Sequence, residues 1–241
     1  MFHNIKCLVR NIKKIMLTND LTESVMDESI KENVNLIVSY HPPIFSGLKR
    51  LTQSSWKERI VVKCIENKIA LYSPHTAWDV VRSGVNDWLA QALPIETSEP
   101  VMPHFQNPNI GAGRICKIPQ PIILSDVIKK IKSYTGLANV QIGLAVNGTM
   151  DSPIKSFAVC AGSGNSVLKD LKDIDMIITG EMGHHEVLDF VHKNIHVITL
   201  NHSNSERGYL KDFQHILSGL LNNESIEILI AKTDRDPLEV C

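Results

Sequence analysis

Residues 35–45 read NLIVSYHPPIF. Leu36 to Tyr40 make an unbroken apolar-rich run of strand length, the pattern of a strand covered on both faces rather than one half exposed. The run stops on His41, and Pro42 and Pro43 then fix φ and withdraw two N–H donors, so pairing cannot continue. A strand that ends on an imidazole held by a stiffened backbone presents that imidazole at the sheet edge. Two other stretches repeat the arrangement. IALYSPHTAWD (residues 69–79) runs out at Pro74, His75 and Asp79, and HVITLNHSNSERG (residues 196–208) yields His202 and, four residues on, Glu206.

Further apolar runs of strand length are IMLT (15–18), FAVC (157–160), MIIT (176–179) and IEILI (226–230). Segments of helical period alternate with them. In SSWKERIVVKCIENK, the residues Trp56, Ile60 and Cys64 share a face with Val61 and Ile65, and Ser125 and Ser205 are placed to cap the helices that follow them. Strands alternating with helices predict an α/β fold with largely parallel sheets, because parallel neighbours require crossovers. Between Leu93 and Pro121 the pattern fails. That stretch holds six of the eleven prolines and reads as the seam between an N-terminal α/β lobe, 1–112, and a C-terminal α/β lobe, 113–241. No repeat of fixed period is detectable.

The 241 residues carry 25 Lys+Arg against 26 Asp+Glu, so no strong overall field favours direct nucleic-acid binding or an anionic membrane. No apolar run reaches the length of a membrane span. Five cysteines, Cys7, Cys64, Cys116, Cys160 and Cys241, lie far apart without a C-x-x-C pair, which argues against a disulfide framework or a cysteine zinc site. A reducing, cytoplasmic compartment is expected. The first nineteen residues hold Lys6, Arg10, Lys13 and Lys14, no acid, and apolar residues Phe2, Ile5, Val9, Ile12 and Met16 at helical spacing, a pattern shared with mitochondrial presequences and with a ragged leader to a first strand.

The strand ends narrow the chemistry. Ligands of open α/β sheets bind at the carboxyl ends of strands. Imidazoles with one or two carboxylates and no nearby thiolate suit zinc, manganese or iron(II), and a carboxylate such as Glu206 can bridge two ions. Ser203 to Ser205 would cap, and Glu206 would occupy a first helical turn. A lone histidine at such a position is more often simply hydrogen-bonded; three strand ends bearing H, H-x-x-x-D and H-x-x-x-E weigh against that reading. A fourth, MIITGEMGHHEVLDF (176–190), offers Glu181, His184, His185 and Glu186. Adjacent residues on a helix point about 100° apart, so His184 and His185 are assigned to lining a site rather than to one ion. The glycines of GAGR (111–114) and CAGSGNSVL (160–168) are too sparse for a phosphate-loop fingerprint, and AGSGNS fails as a serine-hydrolase elbow. Arg207 reads as a partner for a surface carboxylate ahead of an anion-binding group.

In this order, SYHPPIFSGLKR, YSPHTAWD, GAGR, CAGSGNSVL, TGEMGHHEVLD and NHSNSERG closely resemble the Nif-three-like family, named after an NGG-one-interacting factor, many of whose members carry the label GTP cyclohydrolase I type 2. The likeness runs from about residue 13 to TDRDPLEV near the C-terminus. It implies two similar α/β lobes with a metal pair in the cleft between them, and homo-oligomers, dimers or toroidal hexamers. Carried over by motif, the metal ligands are His41, Asp79, His202 and Glu206, with Glu206 bridging. Tyr40, His75, Glu181, His184 and His185 line the site. Many bacterial members have a His-His pair where this chain has Tyr40-His41, which implies a missing ligand and a second ion that binds weakly or not at all, one or two ions per chain. The family's W-D-N-x-G-L segment is expected ahead of the first strand and is absent from this sequence, and the 93–121 seam stands where longer relatives insert a small domain.

Three functions compete. The first is a metal-dependent hydrolase acting on a nucleotide or another phosphorylated metabolite. The second, implied by eukaryotic relatives, is a protein-interaction scaffold in transcription regulation, cytoplasmic and nuclear. The third is metal storage or a metallochaperone role. The Tyr40 substitution favours the last two, because a two-metal hydrolase is expected to keep all its ligands.

Overall fold

The structure is a computed structural model and describes residues 12–221 and 225–239. The basic leader, read as a targeting segment or a ragged start, lies largely outside the described residues, as do Cys7 and Cys241. The chain opens with β1 (Lys14–Thr18), α1 (Glu23–Lys31), β2 (Leu36–Ser39), α2 (Trp56–Glu66) and β3 (Ala70–Tyr72). Next come α3 (Thr76–Val80), α4 (Val85–Ala90), β4 (Thr97–Glu99), β5 (Met102–His104), β6 (Asn107–Ala112) and β7 (Arg114–Ile123). They are followed by α5 (Leu124–Thr135), β8 (Gln141–Gly143), β9 (Pro153–Ser163), α6 (Asn165–Leu168), β10 (Met176–Glu181), α7 (His184–His192) and β11 (His196–Thr199). A 3-10 turn at Ser203–Ser205 precedes α8 (Tyr209–Leu220) and β12 (Glu227–Ile230). All seven apolar runs singled out in the sequence are strands.

The chain forms two compact units. One comprises the residues up to His75 together with Leu210–Arg235; the other comprises Thr76–Tyr209 and the segment from Asp236. The first unit carries a wholly parallel four-stranded sheet in the order β12-β1-β2-β3. Crossover through α1 and α2 is what lets these strands run parallel. Met16, Val25, Met26, Ile37 and Ile60 pack together with almost no exposure, each burial contributing about 1.5–3 kcal/mol. The hydroxyl of Thr22 accepts from the Val25 N–H at 3.3 Å and caps α1, while Ser55 caps α2 through the Glu58 N–H.

The second unit is built on a six-stranded mixed sheet, β4-β7-β9-β10-β11-β8, whose parallel centre β9-β10-β11 is flanked by antiparallel strands. Phe190, Ile177, Ala158 and Val197 lie in its core. Strands β5 and β6 form a separate two-stranded ladder. Arg114 is buried: its guanidinium pairs with Asp87 and donates to the carbonyls of Gly111 and Gly113, both at 2.7 Å. The glycines of the GAGR motif thus anchor an arginine through their carbonyls.

Several local expectations are corrected. The 93–121 stretch lacks sustained periodicity, yet it holds β4 to β6 and most of β7. Arg114, Cys116 and Ile118 do alternate inward, but Pro119 and Pro121 fall where the β7–β9 register breaks, between Lys117 and Ile122, and that break hides the alternation. Ser125 does not cap α5. The helix starts at Leu124, and the N–H groups of Leu124 and Ser125 donate to the carbonyls of Ser152 and Met150, so loop carbonyls replace a cap. Ser205 does not cap α8 either, because its hydroxyl is engaged with Gly162 N and His202 O. On α2, Ile60 and Cys64 are buried, whereas Trp56 and Ile65 are exposed, so the buried stripe is narrower than the apolar pattern. No helix among the described residues is long and apolar enough to cross a membrane.

Candidate metal centre

In the first unit, β2 ends at Ser39 and delivers Tyr40 and His41 as expected. The His41 N–H donates to Asn19 O, continuing the ladder one step past the strand. Its Nδ1 lies 2.8 Å from Asp20 Oδ1. A carboxylate only accepts, so Nδ1 carries a proton, and in the neutral imidazole the lone pair is then on Nε2. Tyr40 is buried and packs against His41 and His75, with ring centroids 4.8 and 5.8 Å away. His75 adopts φ +41 and stacks edge-on to His41 at 5.5 Å. A non-glycine residue at positive φ is an uncommon, strained choice. It fixes the ring beside its neighbour.

In the second unit, His202 follows β11 and Glu181 ends β10. His202 Nδ1 lies 2.8 Å from Glu181 Oε1, so that in the neutral imidazole Nε2 is again the lone-pair nitrogen. That Nε2 is 3.5 Å from Glu206 Oε1, and Glu206 is only 3 % exposed. The expected first helical turn is not where Glu206 sits. It follows the 3-10 turn, three residues ahead of α8. Gly162 explains how the two side chains fit: at φ +65, a Cβ there would stand 2.5 Å from Glu206 Oε1 and 3.1 Å from His202 Nε2. Its N–H donates to Ser205 Oγ at 2.8 Å. The glycine of CAGSGNS therefore clears space for a histidine and a carboxylate rather than cradling a phosphate.

Asp79 lies in α3 of the same unit. Burial, with the Asp79 and Glu206 carboxylates nearby, pushes the Cys160 thiol up to about 12. The two carboxylates thus share one neighbourhood around an inert thiol. Glu186 accepts from the Gly183 N–H and from Asn165 Nδ2, so it serves as a cap to α7. His184 and His185 open α7 as exposed rings 5.3 Å apart. Arg207 donates to Asn204 Oδ1 at 2.9 Å and to Ser203 Oγ at 2.8 Å. A cavity of about 490 Å³ opens beside Glu181, lined also by Ser163, Asn165, Met182 and Glu186.

Sequence reasoning missed Asp20, the residue that orients His41. A signal existed, since Asp20 precedes His41 by 21 positions and Glu181 precedes His202 by the same 21.

The model of the family Duf34/NIF3 (NGG1p interacting factor 3) matches residues 5–237. The chain belongs to the NIF3 family. It is 49% identical over 230 residues to NIF3-like protein 1 of Drosophila melanogaster, covering 95% of this chain and 77% of that protein. It is 40% identical over 239 residues to the NGG1-interacting factor 3 of Saccharomyces cerevisiae, covering 94% and 81%. Among solved structures, a Bacillus cereus protein related to NIF3 superposes with a TM-score of 0.82 at 19% identity, over 96% of this chain and 90% of that one. At that identity the likeness establishes the NIF3 fold alone.

Proposed function

We propose that this NIF3-family chain binds a divalent ion, zinc, iron or manganese, through His41, Asp79, His202 and Glu206, with Glu206 able to bridge a second ion. The observation that carries the reading is the same on both imidazoles. His41 and His202 each give Nδ1 to a carboxylate at 2.8 Å, the outer-shell partner that orients a metal-binding histidine and raises its basicity. The donor set, neutral imidazole with carboxylate and no thiolate, fits these metals. The space left by Gly162 favours the same reading.

When bound, such an ion supplies Lewis acidity and activates water near neutral pH. The chain's own groups do the rest. Asp20 and Glu181 hold the tautomers, and buried Glu206 stands ready to accept a proton or neutralise positive charge. Tyr40 fills the place of a further histidine and offers a hydroxyl as a hydrogen-bond donor. On this basis the activity we propose is hydrolysis of a nucleotide or another phosphorylated metabolite, in a homo-oligomer. His75, His184 and His185 are assigned to lining the site.

A second reading, a scaffold for protein partners, is favoured by the name of the yeast relative, an NGG1-interacting factor. Elemental analysis of protein purified without chelator or affinity metal separates the two. Near-stoichiometric metal in the wild type, lost in His202→Ala and Glu206→Ala, is expected. Well-folded protein that takes up no metal after reconstitution overturns the hydrolase and leaves the scaffold. Metal uptake without turnover on any phosphorylated compound points to storage instead.

A further inference from the structure

Residues 42–55 join β2 to α2 without helix or strand. At that length an irregular connection in a compact domain usually serves a function. Both ends are fixed. Pro42 and Pro43 stiffen the exit from His41, and the Glu58 carboxylate clasps the far end, accepting from Thr52 N–H at 3.0 Å, Thr52 Oγ1 at 2.8 Å and Ser54 N–H at 3.1 Å.

The stretch between these anchors is turned outward. Ile44, Phe45, Leu48 and Leu51 are exposed, Phe45 to 78 %. Lys49 and Arg50 stand among them; no acid occurs from residue 42 to 57, and neither cation has an ion-pair partner among the described residues. The Phe45 ring meets His75 edge-on at 6.2 Å and 87°, and His75 meets His41 at 5.5 Å. An exposed aromatic face and two unpaired cations therefore belong to the loop that leaves a proposed metal ligand.

We propose that residues 44–51 are the recognition loop for a ligand joining a planar aromatic ring to a phosphate, Phe45 stacking on the ring and Lys49 and Arg50 holding the phosphate. The inference rests on the metal reading above, because the rings from Phe45 through His75 to His41 tie the loop to that site. A bare phosphate has no use for Phe45, and an uncharged apolar ligand has none for the two cations. A nucleotide uses both.

Adenosine monophosphate and inorganic phosphate serve as probes in equilibrium binding to the full chain, alongside metal analysis and light scattering of each variant. Phe45→Ala is expected to weaken the nucleotide about tenfold and to leave phosphate unchanged, with Phe45→Trp restoring affinity. The Lys49→Ala/Arg50→Ala double variant weakens both probes. Metal content stays constant throughout. The proposal is overturned if the wild type binds no nucleotide at millimolar concentration, if Phe45→Ala affects both probes alike, or if it changes the oligomeric mass, which would make the loop a contact between copies. Nucleotide binding that depends on Phe45 in protein devoid of metal upholds the loop and removes the metal reading instead.

Discussion

Two βαβ segments, β1-α1-β2 in the first unit and β10-α7-β11 in the second, follow one plan with almost no sequence in common. Asp20 and His41 in one correspond to Glu181 and His202 in the other. Asn33 and Asn194 each end the connecting helix at positive φ, 56° and 60°. The next residues, Val34 and Ile195, are both buried, and their N–H groups donate back to Ser29 O and Phe190 O. Thr18 and Thr179, both fully buried, lie two residues ahead of Asp20 and Glu181 on the two leading strands. The shared features are those that geometry demands: a left-handed residue to stop the helix, an apolar residue to re-enter the core, and a carboxylate one strand over from an imidazole. The differing features lie on helix surfaces, where many residues serve.

If the correspondence is functional, the two carboxylates act alike. Asp20→Asn and Glu181→Gln are each expected to weaken metal affinity about 10–100-fold, the usual effect of losing an outer-shell partner, measured by chelator competition. Glu181 is the more exposed of the pair, so water replaces it more readily and its variant is the milder. Loss in one variant only would reduce the likeness to shared architecture.

These particulars mark what the sequence discloses. Apolar runs such as IMLT and LIVS are legible because parallel strands are buried on both faces and exclude polar residues from several consecutive positions. His41, His202 and Glu206 are legible because an imidazole or carboxylate at the end of such a run is costly to place without a partner. Asp20 was not, since an acid ahead of a helix is common on dipole grounds alone. Nor was the βαβ correspondence, which rests on φ angles and on spacing rather than on residue type. Strands β5 and β6 escaped because an exposed two-stranded ladder needs no apolar run.

The helix stops provide the next test. At φ near +60° a Cβ meets the following carbonyl, a strain of about 1–2 kcal/mol that asparagine relieves in part and glycine removes. Asn33→Ala and Asn194→Ala are each expected to lower stability by about 1 kcal/mol in urea unfolding, with the glycine variants close to wild type. Unequal costs would mean that side-chain contacts of one asparagine matter beyond its backbone. Asn194 is the candidate, because its Oδ1 accepts from Asn147 Nδ2 at 2.9 Å.

The smallest effect sits where the two segments use different chemistry for one task. Asn35 directly precedes the second strand of the first pair, and its Oδ1 accepts from the Lys13 and Lys14 N–H groups. The corresponding residue in the second unit is His196, buried, whose Nδ1 accepts from the Ala145 N–H at 3.2 Å. Both side chains satisfy backbone donors, but only the imidazole titrates. Burial holds His196 below its ordinary value of 6.5, with Asp175 acting in the opposite direction. A depressed histidine binds its proton more readily in the unfolded chain, so its contribution to stability is present above about pH 6.5 and is lost as the pH falls below that value. Protonation would also abolish the acceptor that the Ala145 N–H requires. His196→Asn, which keeps an acceptor and removes the charge, is expected to flatten the decline in urea midpoint between pH 7.5 and 5.0 relative to wild type. Asn35→Ala, by contrast, should lower the midpoint equally at both pH values. Parallel pH profiles for wild type and His196→Asn would assign the acid sensitivity to the carboxylates instead, and the two segments would then differ in residue type but not in their response to protons.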